Sequence, residues 1–124
     1  MSSEQAAAVL AFRARPKFRC TEPQFRILNP SPSSVTAPLE QAINACASAL
    51  AQMLERGASQ QELKAEIKRS LYSVAKPFDT EDKEYFAYYY SELGDLVGVK
   101  VGPILSGWLY GFPLALLLRL FSRG

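Results

Sequence analysis

The chain has 124 residues, 48% of them hydrophobic and 21% charged, which is the length and composition of one compact globular domain. Its 14 Lys and Arg residues against 12 Asp and Glu residues give a formal net charge of +2, too small to demand a nucleic acid or an anionic membrane as partner. The chain contains no His, which excludes imidazole metal ligands and Ser-His or Cys-His nucleophile activation. Cys20 and Cys46 form no C-x-x-C pair, so we expect neither a metal nor a cofactor.

The N-terminal third predicts a helix followed by an extended arm. Ser3 can cap a short helix through the alanine-rich stretch 6–11. From Phe12 to Cys20 the basic residues alternate with other residues, which is the period of an edge strand. Prolines and serines then predict an extended strap up to residue 35. Residues 1–35 are therefore expected to form an N-terminal helix and a Pro-rich arm. The N-terminus also lacks the pattern of a signal peptide, so a cytoplasmic location is the expectation.

Two core helices are predicted next. Apolar residues recur every three or four positions from Thr36 to Leu54, and Gly57 supplies a left-handed stop. Ser59 and Glu62 have the spacing of a capping box, which opens a helix predicted to end at Pro77. The short link between these helices predicts an antiparallel hairpin. The apolar stripe of the second helix comprises Leu63, Ile67, Leu71 and Val74.

The last third predicts two or three further helices. Asp79 or Thr80 caps a helix that Gly98 ends, and Pro103 starts another that Gly111 and Pro113 interrupt. The apolar face of the first of these helices comprises Phe86, Tyr89, Tyr90, Leu93, Leu96 and Val97. The fold class is therefore all-α, a small bundle of four to five helices within residues 36–124, which forms one domain together with the arm.

The C-terminus is the most apolar part of the chain. Residues 101–118 are eighteen consecutive uncharged residues, the lower limit for a membrane span, but glycines and prolines break the run. We therefore expect no membrane partner and interpret the segment as a core helix, a turn and a terminal helix. Because residues 114–121 are apolar around nearly the whole helix, we expect them at a homodimer or partner interface. The candidate interface residues there are Leu114, Leu117, Leu118 and Phe121.

The arm and the helix after Thr80 carry opposite charges. Cations interleaved with aromatic residues could contact phosphates of a single-stranded nucleic acid, but they are few and no nucleic-acid-binding motif surrounds them. Pairing of the arm with the acidic segment 79–95 is the interpretation we favour, and a nucleic-acid partner is not expected. The candidate anion-contacting residues are Arg13, Arg15, Lys17 and Arg19.

Aromatic residues supply the remaining candidates. The acidic segment that begins at Asp79 departs from a calcium loop, since Lys83 occupies a ligand position. Its tyrosines cover more than one helix face, and an exposed tyrosine is typical of a contact surface. Glu92 beside Tyr88 or Tyr89 is the one pairing that suggests catalysis. The aromatic interface candidates are Tyr85, Tyr88, Trp108 and Tyr110.

Four short segments carry a resemblance to a known family. They are Asp79-Thr80-Glu81-Asp82, Glu84-Tyr85, Tyr89-Tyr90-Ser91-Glu92-Leu93 and Trp108-Leu109-Tyr110-Gly111. Over about residues 22–112 the chain resembles a small bacterial family of uncharacterised domains. The resemblance implies an all-helical fold and carries no functional residue across. The basic arm and the leucine-rich tail lie at its edge or beyond.

The function that these patterns favour is a non-enzymatic interaction domain, either a homodimer or a binder of one protein partner. An immunity-type or adaptor role is suggested by analogy only. The alternative is a small-ligand binder or an enzyme with a pocket between the helices, in which tyrosine and Glu92 or Asp95 converge.

Overall fold

A computed structural model describes residues 2–18, 32–77 and 80–110, and every regular element within them is a helix. The helices are α1 (Ser2–Ala14), α2 (Ser33–Glu55), α3 (Gln60–Leu71), α4 (Thr80–Val97) and α5 (Gly102–Tyr110). The predicted all-α bundle is confirmed.

The predicted hairpin of α2 and α3 is confirmed in detail. Gly57 adopts a φ of 77°, which ends α2 in the left-handed region that glycine tolerates. The Ser59 hydroxyl accepts a hydrogen bond from the Glu62 N–H at 3.2 Å, and the Glu62 carboxylate accepts one from the Ser59 N–H at 2.8 Å. This reciprocal capping box lowers the pKa of Glu62, since hydrogen bonds with the backbone and the side chain of Ser59 stabilise the charged carboxylate.

The predicted end of α3 is wrong. The helix stops at Leu71, well before Pro77, and the half-buried Val74 packs on the core from the following loop. Ser73 explains the early stop, because its N–H and its hydroxyl both donate to the carbonyl of Ser70, at 3.0 and 2.6 Å. A side chain that satisfies the last carbonyls of a helix favours a turn over another helical residue.

The predicted strand from Phe12 is also wrong within the described residues. Helix α1 continues to Ala14, because Ala6, Val9 and Phe12 form a stripe of period three that is buried against α2 and α4. The alternating charges lie at the end of this stripe and do not form a sheet edge. The N-terminal helix therefore shares the hydrophobic core of the bundle.

Helix α4 is the central element of the described core, since it contacts α1, α2, α3 and α5. It begins at Thr80 and ends before Gly98, as predicted, while Asp79 lies outside the described residues. Of its predicted apolar face, Leu96 is only partly buried. The fully buried members are Phe86, Tyr89, Tyr90, Leu93 and Val97.

Helix α5 begins at Gly102 with Pro103 in its first turn, as predicted. The interruption at Gly111 and Pro113 and the terminal helix 114–121 lie outside the described residues. None of the described helices is both long enough and apolar enough to cross a membrane.

Candidate functional site

The cations of the arm bind to the rest of the chain. The Arg15 guanidinium forms two parallel hydrogen bonds with the Glu92 carboxylate, at 2.8 and 2.7 Å, and lies 5.3 Å from the centre of the Phe12 ring. Arg13 donates to the Ser48 hydroxyl of α2 at 2.9 Å. A bidentate Arg–carboxylate pair is the strongest geometry available to such a contact. The arm and the acidic helix therefore contact each other.

Lys17 is the most deeply buried of these cations, with 1% of its surface exposed. Its ammonium donates to the carbonyls of Phe12, Arg13 and Arg15 at 2.9, 3.3 and 2.9 Å and lies 4.4 Å from the centre of the Phe12 ring. A cation at this position satisfies the last carbonyls of α1 and complements the helix dipole. The charge of Lys17 therefore stabilises the end of a helix, and its role as an anion-contacting residue stays a prediction. Arg19 lies outside the described residues.

The backbone after α1 is held by two further hydrogen bonds. The Lys17 N–H donates to the Glu40 carboxylate of α2 at 3.1 Å, and the Phe18 N–H donates to the Tyr89 hydroxyl of α4 at 2.9 Å. Phe18 has a φ of 61°, which is uncommon for a bulky residue, and its ring packs edge-on against Tyr89 at 5.1 Å. These contacts hold the strained residue in place.

A buried polar cluster joins α2, α3 and α4. The Ser70 hydroxyl lies 2.7 Å from the Tyr90 hydroxyl and donates to the Ala42 carbonyl at 3.2 Å. The buried thiol of Cys46 belongs to the same cluster, and burial raises its pKa from 9.0 to about 12. Burial likewise raises the pKa of Tyr90. Both groups therefore stay protonated at neutral pH, and Cys46 has the character of an inert core thiol.

The predicted pairing of Glu92 with a tyrosine has another explanation in the structure. Both oxygens of Glu92 accept hydrogen bonds from Arg15, and the Tyr89 hydroxyl accepts one from a backbone N–H of the arm. These groups hold α1 against α4. The pocket in which tyrosine and Glu92 or Asp95 converge remains a prediction.

The side of α4 that faces away from the core is acidic and aromatic. The Tyr88 side chain is 40% exposed, and the Tyr85 hydroxyl donates to the Glu81 carboxylate at 3.1 Å. Partial burial and this carboxylate raise the pKa of Tyr85, so it is a neutral hydrogen-bond donor. The residues lie at helical spacings of three and four, hence on one face. We call this set the outer face of α4; it comprises Glu81, Glu84, Tyr85, Tyr88, Glu92 and Asp95.

The other interface candidates divide between core and surface. Trp108 is 4% exposed, its ring lies 5.5 Å from that of Phe86, and its carbonyl accepts a hydrogen bond from the Lys76 ammonium. Its place at an interface stays a prediction. Tyr110, at the end of α5, is 55% exposed. The remaining candidates lie outside the described residues; they are Leu114, Leu117, Leu118 and Phe121.

Sequence reasoning missed one exposed aromatic residue, Tyr72. It caps the end of α3 and is 55% exposed. Its position eight residues after Lys64 and four after Lys68 is the signal that could have identified it, because this spacing puts all three on one side of a helix. All three are exposed.

Within residues 2–18, 32–77 and 80–110 no group of three or more acidic or cysteine side chains could hold a metal ion.

The arrangement of helices and arm can be compared with known proteins. A family model described as a domain of unknown function (DUF4844) matches residues 1–113. The chain belongs to this family. No curated protein and no solved structure matches it significantly.

The family model includes one of the two segments that were expected at the edge of the resemblance and leaves out the other. The basic arm lies within the family region, together with the helix that Lys17 caps and the Arg15–Glu92 pair. The leucine-rich segment 114–121 lies beyond it. The resemblance predicted over residues 22–112 is confirmed, and the matched region also includes α1.

Proposed function

We propose that this protein is a non-enzymatic interaction domain that binds a protein partner through the outer face of α4. The observation that carries the proposal is Tyr88, a large aromatic side chain that is 40% exposed on an otherwise acidic helix face. Tyrosine contributes contact area and a hydroxyl at a small cost in side-chain entropy, and it is enriched among residues that dominate binding energy.

The charges around Tyr88 support the same proposal. Glu81 and Glu84 lie one helical turn apart, and Asp95 follows toward the other end of the face. The one basic residue in the helix, Lys83, lies on another side and is half-buried. Glu84 and Asp95 are exposed and form no ion pair within the described part of the chain. A partner with basic side chains would be complementary to these two carboxylates.

The proposal also accounts for the groups that would otherwise suggest catalysis. Ser70, Tyr90 and Cys46 lie in the core and bond to one another or to the backbone, which is how polar groups stabilise a folded chain. Their chemistry supports a structural role.

A photo-crosslinking experiment tests the proposal. Tyr88 is replaced by p-benzoylphenylalanine in the native host, and the matched control carries the same residue at Gln52, which is exposed on α2. We expect a discrete cross-linked protein product from position 88 that is lost on adding Glu84→Lys and Asp95→Lys. Equal cross-linking from both positions, or none from position 88, would contradict the proposal.

The leucine-rich segment 114–121 is proposed as a second contact region, for a homodimer or the same partner. Sedimentation of the intact chain beside one truncated after Phe112 tests this part. A monomer of equal stability in both cases would remove it. An immunity-type or adaptor role and a cytoplasmic location complete the proposal, and cell fractionation checks the location.

A further inference from the structure

We infer that the exposed side of α3 is a second contact surface, which binds an acidic helix of a partner protein. The inference goes beyond the proposed function, because it concerns another surface that carries the opposite charge. We call this surface the outer row of α3; it comprises Lys64, Lys68 and Tyr72, which follow one another at steps of four residues.

The outer row of α3 has no polar partner within residues 2–18, 32–77 and 80–110. Lys64 and Lys68 are exposed, and neither forms an ion pair or a side-chain hydrogen bond there. Tyr72 is 55% exposed, and its side chain makes no hydrogen bond or ring contact there. On the opposite side of α3 the Arg69 guanidinium donates to the Glu66 carboxylate at 2.9 Å. The outer row therefore presents two unneutralised charges and one aromatic ring to a partner.

The outer row of α3 faces away from α4. The Ser70 hydroxyl lies 2.7 Å from the Tyr90 hydroxyl, so the side of α3 that carries Ser70 faces α4. Lys68 and Tyr72 lie two residues before and after Ser70, about 160° from it around the helix axis. Tyr88 lies two residues before Tyr90 and by the same rotation faces away from α3. The outer row of α3 and the outer face of α4 are therefore separate surfaces that do not compete for one partner.

The charges of α3 favour a partner with a few carboxylates over a nucleic acid. The helix carries three basic and two acidic residues, which gives it a formal charge of +1. A nucleic acid is bound through many cations along its phosphate backbone, and two unneutralised lysines supply few of these contacts. Two carboxylates, in contrast, would neutralise Lys64 and Lys68 one to one.

The geometry of the outer row favours a helix as the occupant. An extended peptide gains affinity from main-chain hydrogen bonds to a sheet edge, and the regular elements of the described residues are all helices. Residues four apart in a partner helix rise by about 6 Å, the same step that separates Lys64 from Lys68. A helix with two Glu residues at this spacing and a Leu one turn further therefore matches both ammonium groups and the ring of Tyr72.

The expected affinity is modest. Exposed ion pairs contribute little binding energy, so burial of Tyr72 supplies most of the affinity and the two lysines select an acidic partner. A contact of this size predicts a Kd on the order of tens of micromolar.

A fluorescence anisotropy titration tests the inference. The probe is a fluorescein-labelled helical peptide of about 18 residues that carries Leu, Glu, Glu and Leu at steps of four residues, so it matches the outer row in either direction. We expect the wild type to bind it with a Kd of tens of micromolar, Lys68→Gln to bind at least about threefold more weakly, and Tyr72→Ser at least about fivefold more weakly. A peptide with both Glu residues replaced by Gln should bind at least about tenfold more weakly.

Matched controls alter the same residue types elsewhere. Lys100→Gln removes the charge of an exposed lysine after α4, and Tyr110→Ser removes a tyrosine that is also 55% exposed. Both controls should leave the Kd within about twofold of the wild-type value. Circular dichroism checks that each variant folds, and Lys64→Gln provides a second variant of the outer row.

Three results would overturn the inference. They are no binding of the peptide by the wild type, equal weakening by the control variants, and tighter binding of a thymidine oligonucleotide than of the peptide. None of them depends on cross-linking from position 88, because Tyr88 lies on the other side of the helix pair. The inference and the proposed function can therefore fail separately.

Discussion

The buried ammonium of Lys17 allows a sharp test of what the basic arm does. The substitution Lys17→Met removes the charge and keeps the length and the apolar stem of the side chain. The carbonyls of Phe12, Arg13 and Arg15 then lose a donor, and the first of these hydrogen bonds is fully buried. The substitution therefore tests what the charge of Lys17 contributes at the end of α1.

The expected magnitude follows from opposing effects. A hydrogen bond to a charged group contributes about 1.5–3 kcal/mol. The Phe12 carbonyl keeps a second donor, the Arg15 N–H at 3.2 Å, so the substitution does not leave this buried carbonyl without a hydrogen bond. Water can reach the two partly buried carbonyls, which reduces their share. Removing the cost of desolvating an ammonium ion acts in the other direction. Three carbonyls, the helix dipole and the Phe12 ring at 4.4 Å all compensate that charge, so we expect a net loss of about 2 kcal/mol.

Urea unfolding followed by circular dichroism measures this loss. Lys100→Met is the matched control, because Lys100 is exposed and should change the free energy of unfolding by less than about 0.5 kcal/mol. If Lys17→Met is as stable as the wild type or more stable, desolvation outweighs the cap, and the structural explanation of the arm is refuted.

Three further outcomes are expected. A double-mutant cycle with Arg15→Met and Glu92→Gln, measured by urea unfolding, should give a coupling energy of about 1 kcal/mol that falls with added salt. A coupling energy of zero would mean that this pair does not hold the arm to α4. Gly94→Ala should destabilise the fold by about 1–2 kcal/mol, because the new Cβ would lie 2.9 Å from a valine methyl group and 3.1 Å from a backbone oxygen. In the control Gly107→Ala the new Cβ has no neighbour within 4 Å, so this substitution should stabilise α5, and equal effects of the two in thermal unfolding would contradict the packing. The pKa of Cys46 is about 12 in the folded chain against 9.0 for an ordinary thiol, so the unfolded chain loses this proton at a lower pH. The free energy of unfolding should therefore fall as the pH rises from 9.0 toward 12, and the same slope in a Cys46→Ala variant would contradict this.

Most of the fold was predictable because its signals are local. The capping box at Ser59, the left-handed Gly57 and the apolar period of α2 each depend on residues within a turn or two of one another. Such features are encoded in a short stretch of chain, and tertiary packing reinforces them.

The errors occurred where two local signals competed. From Phe12 onward the charges alternate with period two, while Ala6, Val9 and Phe12 recur with period three. Burial of the second set against α2 and α4 decided between them, since the apolar area removed from water outweighs a period-two spacing of charges. In α3, the side chain of Ser73 ended the helix before the proline could.

The candidate surface depended on the tertiary structure still more. Composition and pattern by themselves determined that the protein is helical, that it lacks imidazole chemistry, and that basic and acidic residues are segregated along the chain. They did not determine that Lys17 and Trp108 are buried while Tyr72 and Tyr88 are exposed. A helical period identifies which residues share a face, but whether another helix covers that face depends on contacts between residues far apart in the chain, which only the folded structure specifies.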